Sequence, residues 1–413
     1  MEQIKEKAVY CLNCKTKPCA LKGCPIQTQI PEFITEIKNE NYKAAYDILQ
    51  ENNICSYICS LVCPQEEQCE GSCVRAVKSE ATHIGELEKF VNEWAIENNY
   101  EYEIKVKPSN GKRVSVIGSG PAGITVAYEL LKEGYKVDIY EKESTLGGIL
   151  VYGIPDFRLS KDKVEVIFDK LKKLGANFIT SKELGKDIFI RELSKEYDAV
   201  FVGIGAQKST MYPLAEDNTS GVYKSDDFLK AYNKKEFIKD LGSVVVIGGG
   251  NVAMDSARAA VKMGAKEVKI LYRRDRAHMP AREIELDEAL EDGVIFEELT
   301  RVSSANYESD KMVSVNCVRT EIVDGKAVDA EPKIEFEVDA NTVVFAIGLK
   351  PNKSLLEAEG IDLDDWGYIK LDEDGRTNID NVYAGGDVTE SKATVCRALA
   401  AGKKAVKGII KNI

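Results

Sequence analysis

RVSVIGSGPAGITVAYELLKEGYKVDIYEK, residues 113–142, decides the fold. The β-branched run at its start predicts a strand that ends at Gly118. Gly118, Gly120 and Gly123 then have the spacing of a tight turn, a close approach of backbone to pyrophosphate, and a helix–strand contact. Pro121 and Ala122 suit the first helical turn, where a missing N–H costs nothing. A second strand runs to Glu141, 18 residues beyond Gly123, where a carboxylate accepts hydrogen bonds from ribose hydroxyls. Strand, turn, helix, strand and acid in register predict a dinucleotide site.

VVVIGGGNVAMDSARAAVKMGAKEVKILYRR, residues 244–274, repeats the pattern with Gly248, Gly250, Asn251 and Ala253, but ends in Arg273 and Arg274 instead of an acid. Guanidinium groups there grip a 2′-phosphate that a carboxylate would repel, which favours NADPH over NADH, with NADH still possible. A pair of adjacent nucleotide units predicts one flavin and one nicotinamide. Further on, VYAGGDVTESKATVCRALAAGKKAVKGI, residues 382–409, puts Gly386 and Asp387 ahead of a helix. Asp387 can bond the ribityl chain of FAD, and the helix start at Thr394 and Val395 can stabilise negative charge on a reduced flavin.

Between these segments, short runs such as VKILYRR and TVVFAIG alternate with helical periodicity, so the class is α/β with parallel sheets. The expected architecture is two Rossmann-like three-layer domains behind a small helical domain. Residues 1–108 would form the helical part, 109–240 and 346–413 a split FAD domain, and 241–345 an inserted NAD(P)H domain. A length of 413 residues agrees with two to three domains at roughly 150 residues each.

The net charge of −12 argues against nucleic acid or an anionic lipid surface as partner. No apolar run approaches a membrane span, and the opening MEQIKEKAVY carries no export signal, so a cytoplasmic, reducing location is expected. With two histidines in the chain, multi-His sites are nearly excluded, and no acid–base residue is obligatory for hydride transfer, so no catalytic side chain is nominated. Nine of the eleven cysteines fall in the 63 residues from Cys11 to Cys73. CLNCKTKPCALKGCP and CSYICSLVCPQEEQCEGSC have staggered spacings and two Cys-Pro steps, which favour cuboidal iron–sulfur clusters over zinc or disulfides, and nine thiols allow two clusters. No cysteine lies between Pro108 and Asp240, and Cys317 and Cys396 read as isolated small hydrophobes, so a flavin-linked redox disulfide is not expected and the cysteine-rich region is the exit for electrons.

The order of these motifs, with LGGILVYGIPDFRL, YRRDRAHMPAREIE and FAIGLKPN between them, resembles the glutamate synthase small subunit. The same module is found in dihydropyrimidine dehydrogenase and in NADH-dependent ferredoxin:NADP oxidoreductase, and the short linkers are similar to those of the separate NAD(P)H-oxidising subunit of bacterial dihydropyrimidine dehydrogenases. The resemblance implies two interleaved [4Fe–4S] clusters. Cys11, Cys14, Cys19 and Cys73 would hold one; Cys24, Cys63, Cys69 and the carboxylate Glu88 would hold the other. Cys59 matches a cysteine that binds no iron, and Cys55 has no counterpart. Gly147, Gly148, Gly153 and Pro155 match a flavin-wrapping loop, and Met279, Pro280, Ala281 and Glu285 a segment near the nicotinamide. The implied activity takes hydride from NADPH onto FAD and passes single electrons through the clusters to a larger oxidoreductase subunit, to ferredoxin or to a small-molecule acceptor.

Overall fold

The computed structural model describes residues 2–212, 214 and 220–413. The chain divides into two compact units: residues 1–151, 157–206 and 351–413 form the first, and residues 152–156 and 207–350 the second.

The first unit is built on a five-stranded parallel sheet in the order Val382–Ala384, Ala199–Val202, Arg113–Ile117, Lys136–Tyr140, Asn177–Ile179. Ala199–Val202 is buried at every position, as a parallel strand covered on both faces must be. The helix Pro121–Lys132 follows the first glycine turn and buries ten of its twelve residues. It packs on the helix Val395–Asn412. That contact is made without room to spare, because a Cβ on Gly402 would sit 2.8 Å from the Ala122 carbonyl oxygen and 3.1 Å from Thr125 Cβ.

The N-terminal helices Ile30–Lys38, Tyr42–Asn52 and Ile84–Glu97 share one core that includes Phe33, Ile34, Ile37, Leu49, Leu87 and Val91. Apolar residues at three- and four-residue spacing give each helix one buried stripe. These helices are tied to the helices that flank the sheet within the same unit. The Tyr128 hydroxyl donates to the Gln50 carbonyl at 3.4 Å, Lys170 Nζ to Gln50 Oε1 at 3.1 Å, and Lys403 Nζ to Asn52 Oδ1 at 3.1 Å.

The second unit has its own five-stranded parallel sheet, ordered Val222–Lys224, Thr342–Phe345, Ser243–Ile247, Glu267–Leu271, Ile295–Glu297. In both sheets the strand before the glycine turn is central, with the next two strands in order on one side; the far edge strand is the last in the chain in the first sheet and precedes the turn in the second. An antiparallel sheet joins it, in which Lys311–Val323 pairs with Thr300–Glu308, Lys326–Asp329 and Glu335–Asp339. Residues 207–240 therefore lie with the second unit, where Val222–Lys224 is an edge strand, and not with the first as expected; the break falls at Ala206.

No described helix is long and apolar enough to cross a membrane. Substituting Gly402→Val is expected to force the two helices apart and lower unfolding stability by about 1–3 kcal/mol, the usual cost of overpacking. Urea unfolding measures it, and a stability equal to the parent chain would contradict the close contact.

Candidate functional site

The first glycine turn is shaped by what stands next to it. Gly118 has φ +101°, and a Cβ there would lie 2.5 Å from the Gly203 carbonyl oxygen; one on Gly123 would lie 2.0 Å from the Gly118 oxygen. Gly120 differs, since a Cβ there would meet nothing within 4 Å. The open space lies at the N-terminus of Pro121–Lys132, whose first-turn N–H groups and dipole attract an anion. A side chain at Gly120 would fill that cradle.

Glu141 is fixed beside the turn. Its Oε2 accepts from Ser119 N at 3.0 Å and Ser119 Oγ at 2.5 Å, and its Oε1 from Glu143 N at 3.0 Å. The same Ser119 Oγ accepts from Gly147 N at 2.8 Å, which draws in the next loop. A Cβ on Gly148 would be 3.1 Å from Gly120 Cα, and one on Gly386 3.1 Å from Ala122 Cβ. Gly118–Gly123, Glu141, Gly147–Gly148 and Gly386–Asp387 are thus brought together from four separate parts of the sequence. Gly153 and Pro155 lie in residues 152–156, which group with the other unit.

Asp387 meets no hydrogen-bond donor among the described residues. Burial, helped by Glu390, pushes its carboxyl up to about 6. A half-buried carboxylate next to an open phosphate cradle fits the hydroxyl-rich chain of a dinucleotide. Thr394 caps the following helix, accepting from Arg397 N at 3.3 Å, and Gln68 Nε2 from the cysteine-rich region donates to it at 3.3 Å.

In the second unit Gly248 has φ +151°, and a Cβ there would lie 2.3 Å from the Ala346 carbonyl oxygen. Gly250 is open in the same way as Gly120, with no atom within 4 Å of a Cβ. Asn251 begins the helix, its Oδ1 accepting from Arg282 N at 2.9 Å, and the Ala253 methyl is buried. Arg273 is exposed and its guanidinium makes no ion pair among the described residues. Arg274 Nε donates to the Tyr272 hydroxyl at 2.9 Å, and that hydroxyl donates to the His278 carbonyl at 2.7 Å. One guanidinium is thus oriented and its neighbour is unengaged. Ala281 N donates to Gly249 O at 3.0 Å, holding the 279–281 segment against this turn. Glu285, on a helix rich in exposed acids, is itself buried.

The cysteines fall into two chambers. Cys11, Cys14, Cys19 and Cys73 line one pocket, with Arg75 and Thr82 at its wall; Cys73 Sγ lies 3.6 Å from Thr82 Oγ1. Burial and then Cys11 push the Cys19 thiol up to about 12. Deeper in the unit, the sulfurs of Cys59, Cys63 and Cys396 lie within 4.8 Å of one another. Cys24 is acted on first by Cys396 and then by burial, both raising it. Cys69 is raised by burial and then by Glu88, and Glu88 by burial and then by Cys24 and Cys396. A carboxylate and several thiols crowded without a counter-ion resist ionising in isolation. They fit a cationic inorganic core that would hold them as anions. Cys55 is buried apart from this group, its N–H donating to Asn53 Oδ1 at 2.9 Å, and burial pushes its thiol up to about 12.

Cys396 is the correction here. The helix Val395–Asn412 carries it into the second chamber, so it is not an isolated hydrophobe; Cys317 does sit alone in the apolar core of the second unit. Ser119, Gln68 and Cys396 were not nominated from sequence. Ser119 lies inside the glycine fingerprint and its hydroxyl is the available signal, whereas Cys396 and Gln68 are hundreds of residues from what they touch.

Residues 112–405 match the pyridine nucleotide-disulphide oxidoreductase family. The chain belongs to this family. Residues 1–100 match a second family, described as dihydropyrimidine dehydrogenase domain II, 4Fe-4S cluster. The chain is therefore an FAD-dependent oxidoreductase with an N-terminal iron–sulfur domain. It is 32% identical to the glutamate synthase [NADPH] small chain of Escherichia coli K12, over 99% of this chain and 91% of that one. It is also 32% identical to the NADPH-Fe(3+) oxidoreductase subunit beta of Geobacter sulfurreducens DL-1 / KN400, covering 95% of this chain and 63% of the relative, and it spans 65% of the length of the E. coli oxidoreductase AegA. These names are of small or beta subunits of larger enzymes. Among solved structures, Mycobacterium tuberculosis FprA in complex with NADPH superposes with a TM-score of 0.62 at 22% identity, covering 74% of this chain and 85% of that one; the thioredoxin reductase of T. acidophilum gives 0.57 at 20%, over 73% and 99%. Both likenesses concern the fold.

The raised Asp387 carboxyl sets a pH dependence. An unfolded Asp titrates near 3.9, so between about pH 4 and pH 6 the native state holds the extra proton and stability falls as pH rises. In flavin-stripped protein, Asp387→Asn should remove this slope, gaining about 2–3 kcal/mol over the parent chain at pH 7.5 and less at pH 5. An equal difference at both pH values, measured by urea unfolding, would contradict it.

Proposed function

We propose that this chain is an electron-input subunit that oxidises NADPH and passes electrons through FAD and two [4Fe–4S] clusters to a partner oxidoreductase, as in glutamate synthase. When bound, the nicotinamide supplies a hydride, the flavin converts two-electron into one-electron transfer, and the clusters carry single electrons. The observation that carries this reading is the Val395–Asn412 helix. Its approach segment bears Gly386 and Asp387 against the first glycine turn, and its own first turn is held by Gln68 and puts Cys396 beside Cys63. Flavin-type site and cysteine chamber thus share one rigid element of the same unit.

In this reading Gly118, Gly120, Pro121, Ala122 and Gly123 cradle the FAD pyrophosphate, Glu141 takes its ribose, and Asp387 its ribityl chain. Gly248, Gly250, Asn251 and Ala253 do the same for the nicotinamide cofactor, and Arg273 and Arg274 hold its 2′-phosphate. Cys11, Cys14, Cys19 and Cys73 hold an outer cluster, while Cys24, Cys63, Cys69 and Glu88 hold an inner one. Residues 1–108 form the cluster domain. A cytoplasmic location and a larger partner subunit complete the proposal.

Anaerobically purified protein should contain about eight iron atoms and one FAD and should bleach on adding NADPH. A colourless chain that binds zinc alone would overturn it. Arg273→Glu should weaken NADPH binding about tenfold or more and leave NADH binding nearly unchanged, since charged hydrogen bonds contribute about 1.5–3 kcal/mol; an equal loss for both, measured by fluorescence titration, would remove the 2′-phosphate assignment.

A further inference from the structure

The inner chamber holds more sulfur than one cluster needs. Cys59, Cys63 and Cys396 are all buried, and their sulfurs lie within 4.8 Å of one another. Thiolates that share one tetrahedral ion at about 2.3 Å are roughly 3.8 Å apart. Thiolates on different irons of a cuboidal core are held farther apart, by the core's own edge and by bonds that radiate outward from it. Three sulfurs this close therefore cannot each take a separate iron of the same cluster. With Cys63 as ligand, its two neighbours are left as thiols pressed against a thiolate.

We propose that Cys396 is a positioning residue of the inner cluster, its S–H donating a hydrogen bond to the Cys63 ligand sulfur. This rests on the ligand set proposed above. A thiolate has no hydrogen to give, so any hydrogen bond between Cys63 and its neighbours must be donated by them. Cys59 Sγ accepts from Asn53 Nδ2 at 3.3 Å, which leaves its own S–H as a second donor toward Cys63. Cys396 comes from a different helix, in the first turn of Val395–Asn412, where the helix dipole also stabilises negative charge. It also acts on Cys24, raising its thiol. Donors to ligand sulfurs stabilise the more negative, reduced form of a cluster and raise its potential. Because Cys396 stands two residues after Thr394, the segment that completes the flavin-type site also sets how readily the inner cluster accepts an electron.

The test uses the full-length chain, purified anaerobically, with iron and sulfide analysis and a redox titration followed by electron paramagnetic resonance. Cys396→Val should keep the iron content of the parent, about eight atoms, and move the inner cluster to a more negative potential. Cys396→Ser, a stronger donor, should bring that potential back to the parent value or above it. Loss of about half the iron in both variants would make Cys396 a ligand and overturn the proposal. An unchanged potential in Cys396→Val would reduce it to a packing residue. Should Cys396→Val fail to fold, Cys396→Ser decides alone, because a potential below the parent's contradicts a donor role. A parent chain that itself lacks a second cluster signal sinks the ligand set, which distinguishes that failure from this one.

Discussion

Two helices in the first unit approach so closely at Gly402 that no side chain fits between them and the Ala122 carbonyl, and the rest of that unit depends on this contact. Pro121–Lys132 is anchored to the glycine turn at one end and runs along the central strand. Val395–Asn412 lies against it, so its own start is carried to a fixed place beside that turn. Gly386 then meets Ala122, Asp387 enters the buried space, and Thr394 reaches Gln68. Remove the close contact and the phosphate cradle loses its second wall at the same moment as the cysteine chamber loses Cys396.

Gly120 and Gly250 are open in the same way in the two units. Each turn has a first glycine pressed against a carbonyl oxygen of a neighbouring strand's extension, Gly203 in one case and Ala346 in the other. In each, the middle glycine faces empty space. The difference in chemistry comes from the residues after the second strand. A buried carboxylate tied to Ser119 stands in one unit, while an exposed arginine and one oriented by Tyr272 stand in the other. In the proposed assignment phosphate binding is common to both, and selectivity rests on a few side chains at one strand end.

Much of this could be read from the sequence, for a physical reason. Buried parallel strands are nearly continuous apolar runs, so VVVI, and VSVI and TVVF with one small polar residue each, announce themselves, and glycine turns are local in sequence. The nine N-terminal cysteines were equally visible because their spacing is local. What escaped the sequence is what closes at long range. Val222–Lys224 is three residues long and only half-buried, too short and too polar to announce a strand, so residues 207–240 were placed with the wrong unit. The alternation of the strands between 300 and 339 gives no hint that they leave the main sheet. Cys396 looks like one more small apolar residue on a helix; only the packing of that helix, over three hundred residues from Cys59 and Cys63, reveals its neighbours.

The first unit is discontinuous, and this bears on how the protein is made. Its edge strand Val382–Ala384 and the helix carrying Cys396 are synthesised only after the whole of residues 207–350, so the second sheet has all its strands while the first still lacks one. Until then the strand Ala199–Val202 has an unpaired edge and the inner cysteine chamber lacks a wall. The inner chamber is therefore completed only by translation past residue 396, whereas the four cysteines of the outer chamber all lie within residues 11–73.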